Sequence, residues 1–384
     1  MSRTYDFAVI GAGVFGAWTA HYLQRSGAHV ALIDAYGAAN SRASSSGETR
    51  VIRAGYGPDE LYTRWAVRSL PLWREFFDRV GVRHFHRTGV LWLSTEGDLY
   101  TRQLLDVLNN YEVQFEKLSA DEIHKRYPQL VFEDVTWGVL ETHSGLLMAR
   151  QAVHALVKEA VRSGVDYRIA SVMPPQGHGA LSKVSTSSGN PIFAGTFIFA
   201  CGPWLPKLFP ELLVQRILPT RQEVFFLGPP PGNIDYASPQ MPVWLHHGHP
   251  DIPYALPDTE GRGFKIAFDR HGPSFDPDTG NRVVQAAGID RIRSFLKKHL
   301  PAMHDAPILE TRVCQYENTS NGDFLIDRHP DFANVWIAGG GSGHGFKHGP
   351  AVADYLSARI LRDAPAEPRF ALATKETVQM RAVY

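Results

Sequence analysis

The sequence predicts an α/β fold in which a parallel, dinucleotide-binding sheet is joined to a second domain of mostly antiparallel strands. Three observations predict it. A short apolar run at 7–10 is followed by Gly11-Ala12-Gly13-Val14-Phe15-Gly16, a helical stretch, and a second apolar run at 30–33 that ends on Asp34. Another apolar run, 334–338, leads into Gly339-Gly340-Gly341-Ser342-Gly343-His344-Gly345. Between these, 222–265 shows short strand-like runs broken by Pro and Gly, the pattern of antiparallel structure. Parallel signals at both ends with antiparallel sequence between them imply a nucleotide domain assembled from separated segments. Its expected pieces are 1–85, 145–218 and 325–384, with a substrate domain formed by 86–144 and 219–324.

In chain order, the strand at 7–10, the glycine turn, a helix over 17–25 stopped by Gly27, and the strand at 30–33 make the first unit of the parallel sheet. Residues 35–60 are rich in Gly, Ser and Ala and predict no continuous core element. Apolar and charged positions recur at helical period over 62–80. Leu91-Trp92-Leu93 reads as a strand, and 99–109, 120–127 and 148–163 read as helices. Gly177, Gly179 and Gly189 punctuate a polar, hairpin-like stretch before a strand at 192–200. Helices are expected at 291–300 and 349–361. The tail beyond Leu361 is expected to wrap the surface or fray.

Composition narrows the function. The 384 residues carry 39 Lys plus Arg against 39 Asp plus Glu, so no electrostatic footprint for nucleic acid is present. Cys201 and Cys314 are the only cysteines and form no CxxC pair. Neither a disulfide framework nor a zinc site is therefore expected, and a cytoplasmic setting is. The first residues show no apolar signal-peptide core, and the apolar stretch 192–201 falls well short of the roughly 20 residues that span a bilayer. No membrane partner is expected. Balanced charge and a self-contained two-domain layout favour a monomer.

Gly11, Gly13 and Gly16 have a mechanism in this context. The first permits the tight turn, the second lets backbone approach a pyrophosphate, and the third lets helix pack on strand. Asp34, 18 residues after Gly16 in the sequence, stands where a carboxylate accepts from ribose hydroxyls and repels a 2′-phosphate. Spacing alone does not separate NAD from FAD; the second glycine-rich turn favours the longer cofactor.

Several segments then coincide in order: the first glycine turn; Ser46-Gly47-Glu48-Thr49-Arg50-Val51-Ile52-Arg53; Gly263-Phe264-Lys265; Cys314-Gln315-Tyr316; Phe324-Leu325-Ile326-Asp327-Arg328-His329-Pro330; and Gly343-His344-Gly345-Phe346-Lys347. Together they resemble the monomeric sarcosine oxidase and N-methyltryptophan oxidase group of flavin amine oxidases, from about Tyr5 to Leu361. The resemblance implies a Rossmann-like FAD-binding domain of p-hydroxybenzoate-hydroxylase type. It also implies FAD linked through a cysteine sulfur, and oxidation of a secondary amine to an imine with reduction of O2 to hydrogen peroxide. The partners are then a small amino-acid-like amine and O2.

Residue by residue, the resemblance places Cys314 at the flavin attachment point; read alone, it is equally an inert thiol. It makes Arg53 and Lys347 the holders of a substrate carboxylate, an Arg fork beside a Lys point charge. Arg50 falls near the flavin ring, though surface arginines are the plainer reading of both Arg50 and Arg53. Lys265 is placed beside the flavin, where a fixed cation stabilises charge passed to oxygen. Strand alternation instead turns Lys265 away from Phe264 and Phe268, towards solvent. Tyr254 and Tyr316 match aromatic walls of the substrate cavity, with core packing as the rival. Ser45, Thr49, Gly341, Gly343, His344 and Gly345 complete the cofactor contacts, with Val14 and Phe15 in the first turn. No metal-ligand spacing occurs.

Two positions depart from the family. Ser45-Ser46 stand where a pair of histidines is typical, and Asp269 stands where close relatives carry histidine. A carboxylate in the pocket favours a charged ammonium and opposes its deprotonation. Three accounts follow for Asp269: it binds an additional cationic group of the substrate, it pairs with Lys265 or Arg50, or it is a surface acid in the polar loop Asp269-Arg270-His271-Gly272.

Overall fold

The computed structural model describes residues 4–380. Thr4–Ile10 pairs in parallel with Val30–Asp34 on one side and Ile192–Phe199 on the other. Beyond Val30–Asp34 lies Asp166–Ile169; beyond Ile192–Phe199 lie Val335–Gly339 and then antiparallel Leu325–Arg328. Helices cover this sheet. Val14–Arg25 packs against both Ala149–Arg162 and Gly349–Arg362, and Glu60–Val80 packs on the last of these. Strands buried on both faces read as unbroken apolar runs, which is why 30–33 and Val335–Gly339 show no alternation. Trp18, Trp73 and Phe76 lock the helical layer, with Trp18 and Trp73 ring centres 5.0 Å apart at 84°. Burying each such ring stabilises the fold by roughly 2–3 kcal/mol.

The second sheet has eight strands in the order Ile308–Thr319, Ile217–Leu227, Phe264–Phe268, Pro253–Leu256, Val243–His246, Val90–Ser94, Trp137–Glu141, Phe115–Ser119. All neighbours are antiparallel except Val243–His246 with Val90–Ser94. A third, small sheet of Arg50–Ile52, Gly145–Leu147 and Phe85–His86 fixes the segment that delivers Arg50 and Arg53. Among the described residues no helix is long and apolar enough to cross a membrane.

Several local readings need correction. Helix Val14–Arg25 starts directly after Gly13, three residues before the apolar periodicity suggests. Residues 35–60 contain a short turn of helix, Ser44–Ser46, and the strand Arg50–Ile52. Helix Ala286–His299 begins well ahead of 291. The long strand Ile308–Thr319 is hidden in the sequence because Glu310 and Arg312 break its apolar pattern; Arg312 is spent on ion pairs with Glu48 and Glu310. The tail wraps: Phe370 is fully buried, and Arg369 bridges Asp59 and Asp323, each at 2.6 Å.

Candidate active site

Gly11 holds φ +102°, and a β-carbon there would lie 2.3 Å from the Ala200 carbonyl oxygen. On Gly16 it would lie 1.9 Å from the Gly11 oxygen. Only glycine lets strand, turn and helix close this far. Gly13 precedes helix Val14–Arg25, whose first N–H, on Val14, donates to Ser45 Oγ at 3.1 Å. Further N–H groups and the positive end of the helix dipole remain there for an anion. Asp34 accepts from the Ala12 and Tyr36 N–H groups at 2.8 and 2.9 Å; burial pushes its pKa up, and those backbone donors oppose the rise.

A cavity of about 370 Å³ joins these groups. It is lined by Asp34, by Gly11, Gly13, Val14 and Phe15, and by Ser45. Arg50, Cys314 and Tyr316 also line it, with Gly341, Gly343 and Gly345 from the second glycine turn. A β-carbon on Gly343 would meet the Tyr316 ring at 2.7 Å. An acid for ribose, a side-chain-free anion cradle and a thiol beside a guanidinium fit the parts of FAD. His344 does not line the cavity. Its imidazole turns into the protein, stacked on Phe324 at 4.9 Å, with Nε2 facing the Gly322 oxygen at 3.0 Å.

Arg50 is aimed by three contacts. Its Nη1 donates to the Thr49 oxygen at 3.0 Å, and its Nη2 donates to the Ser44 oxygen at 2.9 Å and to Cys314 Sγ at 3.3 Å. Lys265 Nζ donates to the same Thr49 oxygen at 2.7 Å. Lys265 is buried, so the solvent-facing reading fails: Phe264–Phe268 is covered on both faces, and alternation has no wet side to offer. Burial, then Arg50, hold its pKa well below the usual lysine range. A second cavity, of about 250 Å³, is lined by Lys265, Arg50, Cys314, Arg282 and Arg312. Arg50 and Cys314 therefore form a wall common to both cavities. Behind it, Glu48 binds Arg312, Arg262 and Arg150 at 2.6, 3.0 and 3.3 Å; burial raises its pKa, but these cations bring it below the ordinary value.

Arg53 and Lys347 do not line the FAD cavity; they meet beside Tyr56. The Arg53 guanidinium lies 4.4 Å from the Tyr56 ring centre and 4.7 Å from that of Trp92. Lys347 Nζ donates to Tyr56 Oη at 2.6 Å and to the His344 oxygen at 2.9 Å. Burial, then the Arg53 charge, push the Lys347 pKa well down, while Asp269 and Glu141 support it. Glu141 fixes the loop beneath, accepting from the Ala54 and Gly55 N–H groups at 2.7 and 2.9 Å, from Trp92 Nε1 at 2.9 Å and from Ser144 Oγ. Sequence reading missed Tyr56, Trp92 and Glu141. The signal available was Gly55-Tyr56-Gly57: a β-carbon on Gly55 would press on Leu104, Glu141 and Trp92 at 2.7–2.8 Å.

Asp269 belongs to this cluster. Tyr316 Oη donates to its Oδ1 at 2.7 Å, and the charges acting on it come from Arg53, Lys347 and His247. Burial raises its pKa against those influences. Neither Lys265 nor Arg50 is its partner, and it is no free surface acid: the loop holding it is tied in by the Asp269 N–H donating to the Ile252 oxygen at 3.0 Å. Tyr254 stands next to Tyr316; burial, then Asp269, push its hydroxyl pKa up. Cys201 is half-buried, lines the FAD cavity, and has its thiol pKa pushed well up by burial.

The chain matches the FAD dependent oxidoreductase family over residues 6–359. It is 30% identical over 368 residues to the monomeric sarcosine oxidase of Bacillus sp. (strain B-0618), covering 94% of this chain and 93% of that protein. It is 26% identical over 365 residues to the N-methyl-L-tryptophan oxidase of Yersinia pestis (strain Pestoides F), covering 94% and 96%. L-proline dehydrogenase from P. horikoshii superposes with a TM-score of 0.82 at 20% identity, covering 97% and 98%, which is a likeness of fold. The two-domain α/β architecture, with a Rossmann-like FAD-binding sheet and a mostly antiparallel second sheet, is the one expected from the sequence. With its glycine turn, acid and thiol set around one cavity, this chain belongs to the FAD-dependent oxidoreductase family.

Proposed function

We propose that this protein oxidises the secondary amine of an amino acid, sarcosine-like or N-methylated, to an imine that water hydrolyses to an aldehyde or keto product, with O2 reduced to H2O2. The supporting observation is the buried pair Arg53 and Lys347 converging on Tyr56. Asp269 and Glu141 offset part of the positive charge at Lys347, and a substrate carboxylate would give Arg53 and Lys347 a direct anionic partner. The relatives named as sarcosine and N-methyl-L-tryptophan oxidases support the same class of CH–NH donor.

When bound, FAD accepts a hydride equivalent from the carbon bearing the amine and passes two electrons to oxygen. The chain's own residues do the rest. Arg53, held between Tyr56 and Trp92, and Lys347 orient the carboxylate, which fixes the reacting carbon. Tyr316 spans from the cofactor cavity to Asp269 and, with Tyr254, walls the amine end. Lys265 supplies positive charge on the side of the second cavity, where oxygen is reduced. Cys314 Sγ, which accepts from Arg50 Nη2 at 3.3 Å on the wall of the FAD cavity, is the proposed covalent anchor.

Asp269 favours a second reading of the substrate. A carboxylate set among the cations that hold the substrate's acid group suits a substrate with an additional positive charge. Anaerobic bleaching of the yellow protein separates the readings. The panel comprises sarcosine, other N-methyl amino acids, proline, pipecolate and basic amino acids. Bleaching is expected with an N-alkyl or cyclic amino acid and not with its decarboxylated amine. Equal bleaching by the decarboxylated amine would sink the proposal. Acid precipitation tests the anchor: colour is expected to stay with the polypeptide and to leave it after Cys314→Ala.

A further inference from the structure

Glu317 is a buried acid that none of these steps uses. It lies on Ile308–Thr319, opposite Pro219 of the neighbouring strand. Its side chain lines the FAD cavity, the residue is only 9% exposed, and its Oε2 is enclosed without a hydrogen-bond partner among the described residues. Side-chain-free backbone surrounds it: a β-carbon on Gly339 would lie 3.2 Å from Oε2, one on Gly341 3.2 Å from Oε1, and one on Gly202 3.7 Å from Oε2.

The groups that face this carboxyl are a proline, two peptide groups and a thiol. The strand Ile217–Leu227 faces it with Pro219. The second glycine turn faces it with the peptide groups of Gly340 and Gly341. The end of Ile192–Phe199 brings the Cys201 thiol, whose own pKa is raised by burial, by Asp34 and by Glu317. Among the described residues no cation acts on Glu317. An FAD pyrophosphate adds negative charge to the same cavity. An unpaired carboxylate there would repel it and keep an oxygen unsatisfied. A neutral carboxyl has an O–H to give.

We propose that Glu317 is protonated in the loaded protein and donates a hydrogen bond to the pyrophosphate-to-ribityl segment of FAD, so that capturing the cofactor takes up a proton from solvent. The inference rests on the FAD cavity and not on the identity of the amine. Burial pushes the Glu317 pKa up to about 7, against the Gly341 and Gly340 peptide donors, which places the transition in an accessible range. Bound FAD favours the acid form and raises that pKa further. Affinity is therefore full below the pKa of the free protein and declines as pH rises through it, by up to about tenfold per pH unit.

The test uses Cys314→Ala protein, in which FAD exchanges whether or not the parent links it covalently. Stripped protein is titrated with FAD at intervals from pH 6 to pH 9, following flavin fluorescence. The Kd is expected to weaken on the order of 10–100-fold from pH 7 to 9. Adding Glu317→Gln, which keeps a donor but no acid, should give tight binding that is flat with pH. A flat profile with Glu317 present, or weaker binding at pH 6 with an unchanged slope in the Gln variant, would overturn the proposal. If stripping unfolds the protein, the Tm of the flavin-loaded protein is compared over the same range. It should fall more steeply with rising pH with Glu317 than with Gln, and equal slopes reject the idea. Turnover is not measured, so failure here leaves the amine-oxidase reading standing, and a failed substrate panel leaves this one standing. Protein that takes up no FAD removes both.

Discussion

Tyr316 Oη donates to Asp269 Oδ1 at 2.7 Å, and this one hydrogen bond ties the wall of the cofactor cavity to the cluster that holds Arg53 and Lys347. Asp269→Asn keeps the shape and removes the charge. For an amino acid with a second cation, kcat/KM should fall about 10–100-fold, the equivalent of about 1.5–3 kcal/mol for a charged hydrogen bond. Sarcosine should lose much less. Steady-state rates on the two substrates decide it, and an equal loss on both would make Asp269 a structural acid.

Lys347 makes a pH-linked prediction. Its pKa is depressed by burial and by Arg53, and a substrate carboxylate raises it again. Binding then takes up a proton, and affinity is lost as pH rises through the depressed value of the free enzyme. Calorimetry with propionate in two buffers of different ionisation enthalpy should show that uptake. In Lys347→Met the uptake should vanish and affinity should drop about 10–100-fold.

Lys265→Met should separate the two half-reactions. Anaerobic bleaching by substrate should persist near the parent rate, whereas reoxidation by O2 should slow by about two to three orders of magnitude, the scale of losing a preorganised charge. Stopped-flow mixing reads both. Unchanged reoxidation would remove Lys265 from the oxygen step.

Glu141→Ala leaves the Ala54 and Gly55 N–H groups, Trp92 Nε1 and Ser144 Oγ without their acceptor. A loss of about 3 kcal/mol is expected in urea unfolding, accompanied by a raised KM because the loop under Arg53 loses its anchor. Glu141→Gln, which keeps one acceptor, should lose less. A stable Ala variant with normal KM would show that the loop is held by packing alone.

The first glycine turn and Asp34 are legible in the sequence because their constraints are local: φ, close approach and a fixed offset act within one strand-turn-helix unit. The cluster around Arg53 and Lys347 is not, since Arg53, Trp92, Glu141 and Lys347 come from four distant segments that only the folded sheets bring together. Without the resemblance to flavin amine oxidases, Arg53 and Lys347 read as ordinary surface cations. Lys265 shows where local logic fails. Period-two alternation predicts a wet face, but the strand lies inside a sheet closed on both sides. Glu141 and Glu317 left no sequence signal at all, because an isolated acid in an otherwise ordinary strand looks the same wet or dry.

The parallel sheet begins at Thr4–Ile10 and is completed by Val335–Gly339 through its pairing with Ile192–Phe199. On the ribosome, roughly tens of seconds separate the emergence of these pieces at ordinary translation speeds. Through that interval the cavity beside the first glycine turn lacks the wall supplied by Gly341, Gly343 and Gly345. The cavity is therefore complete only when residues 341–345 have joined the fold, and a cofactor bound there stabilises the finished chain over one whose groove is empty.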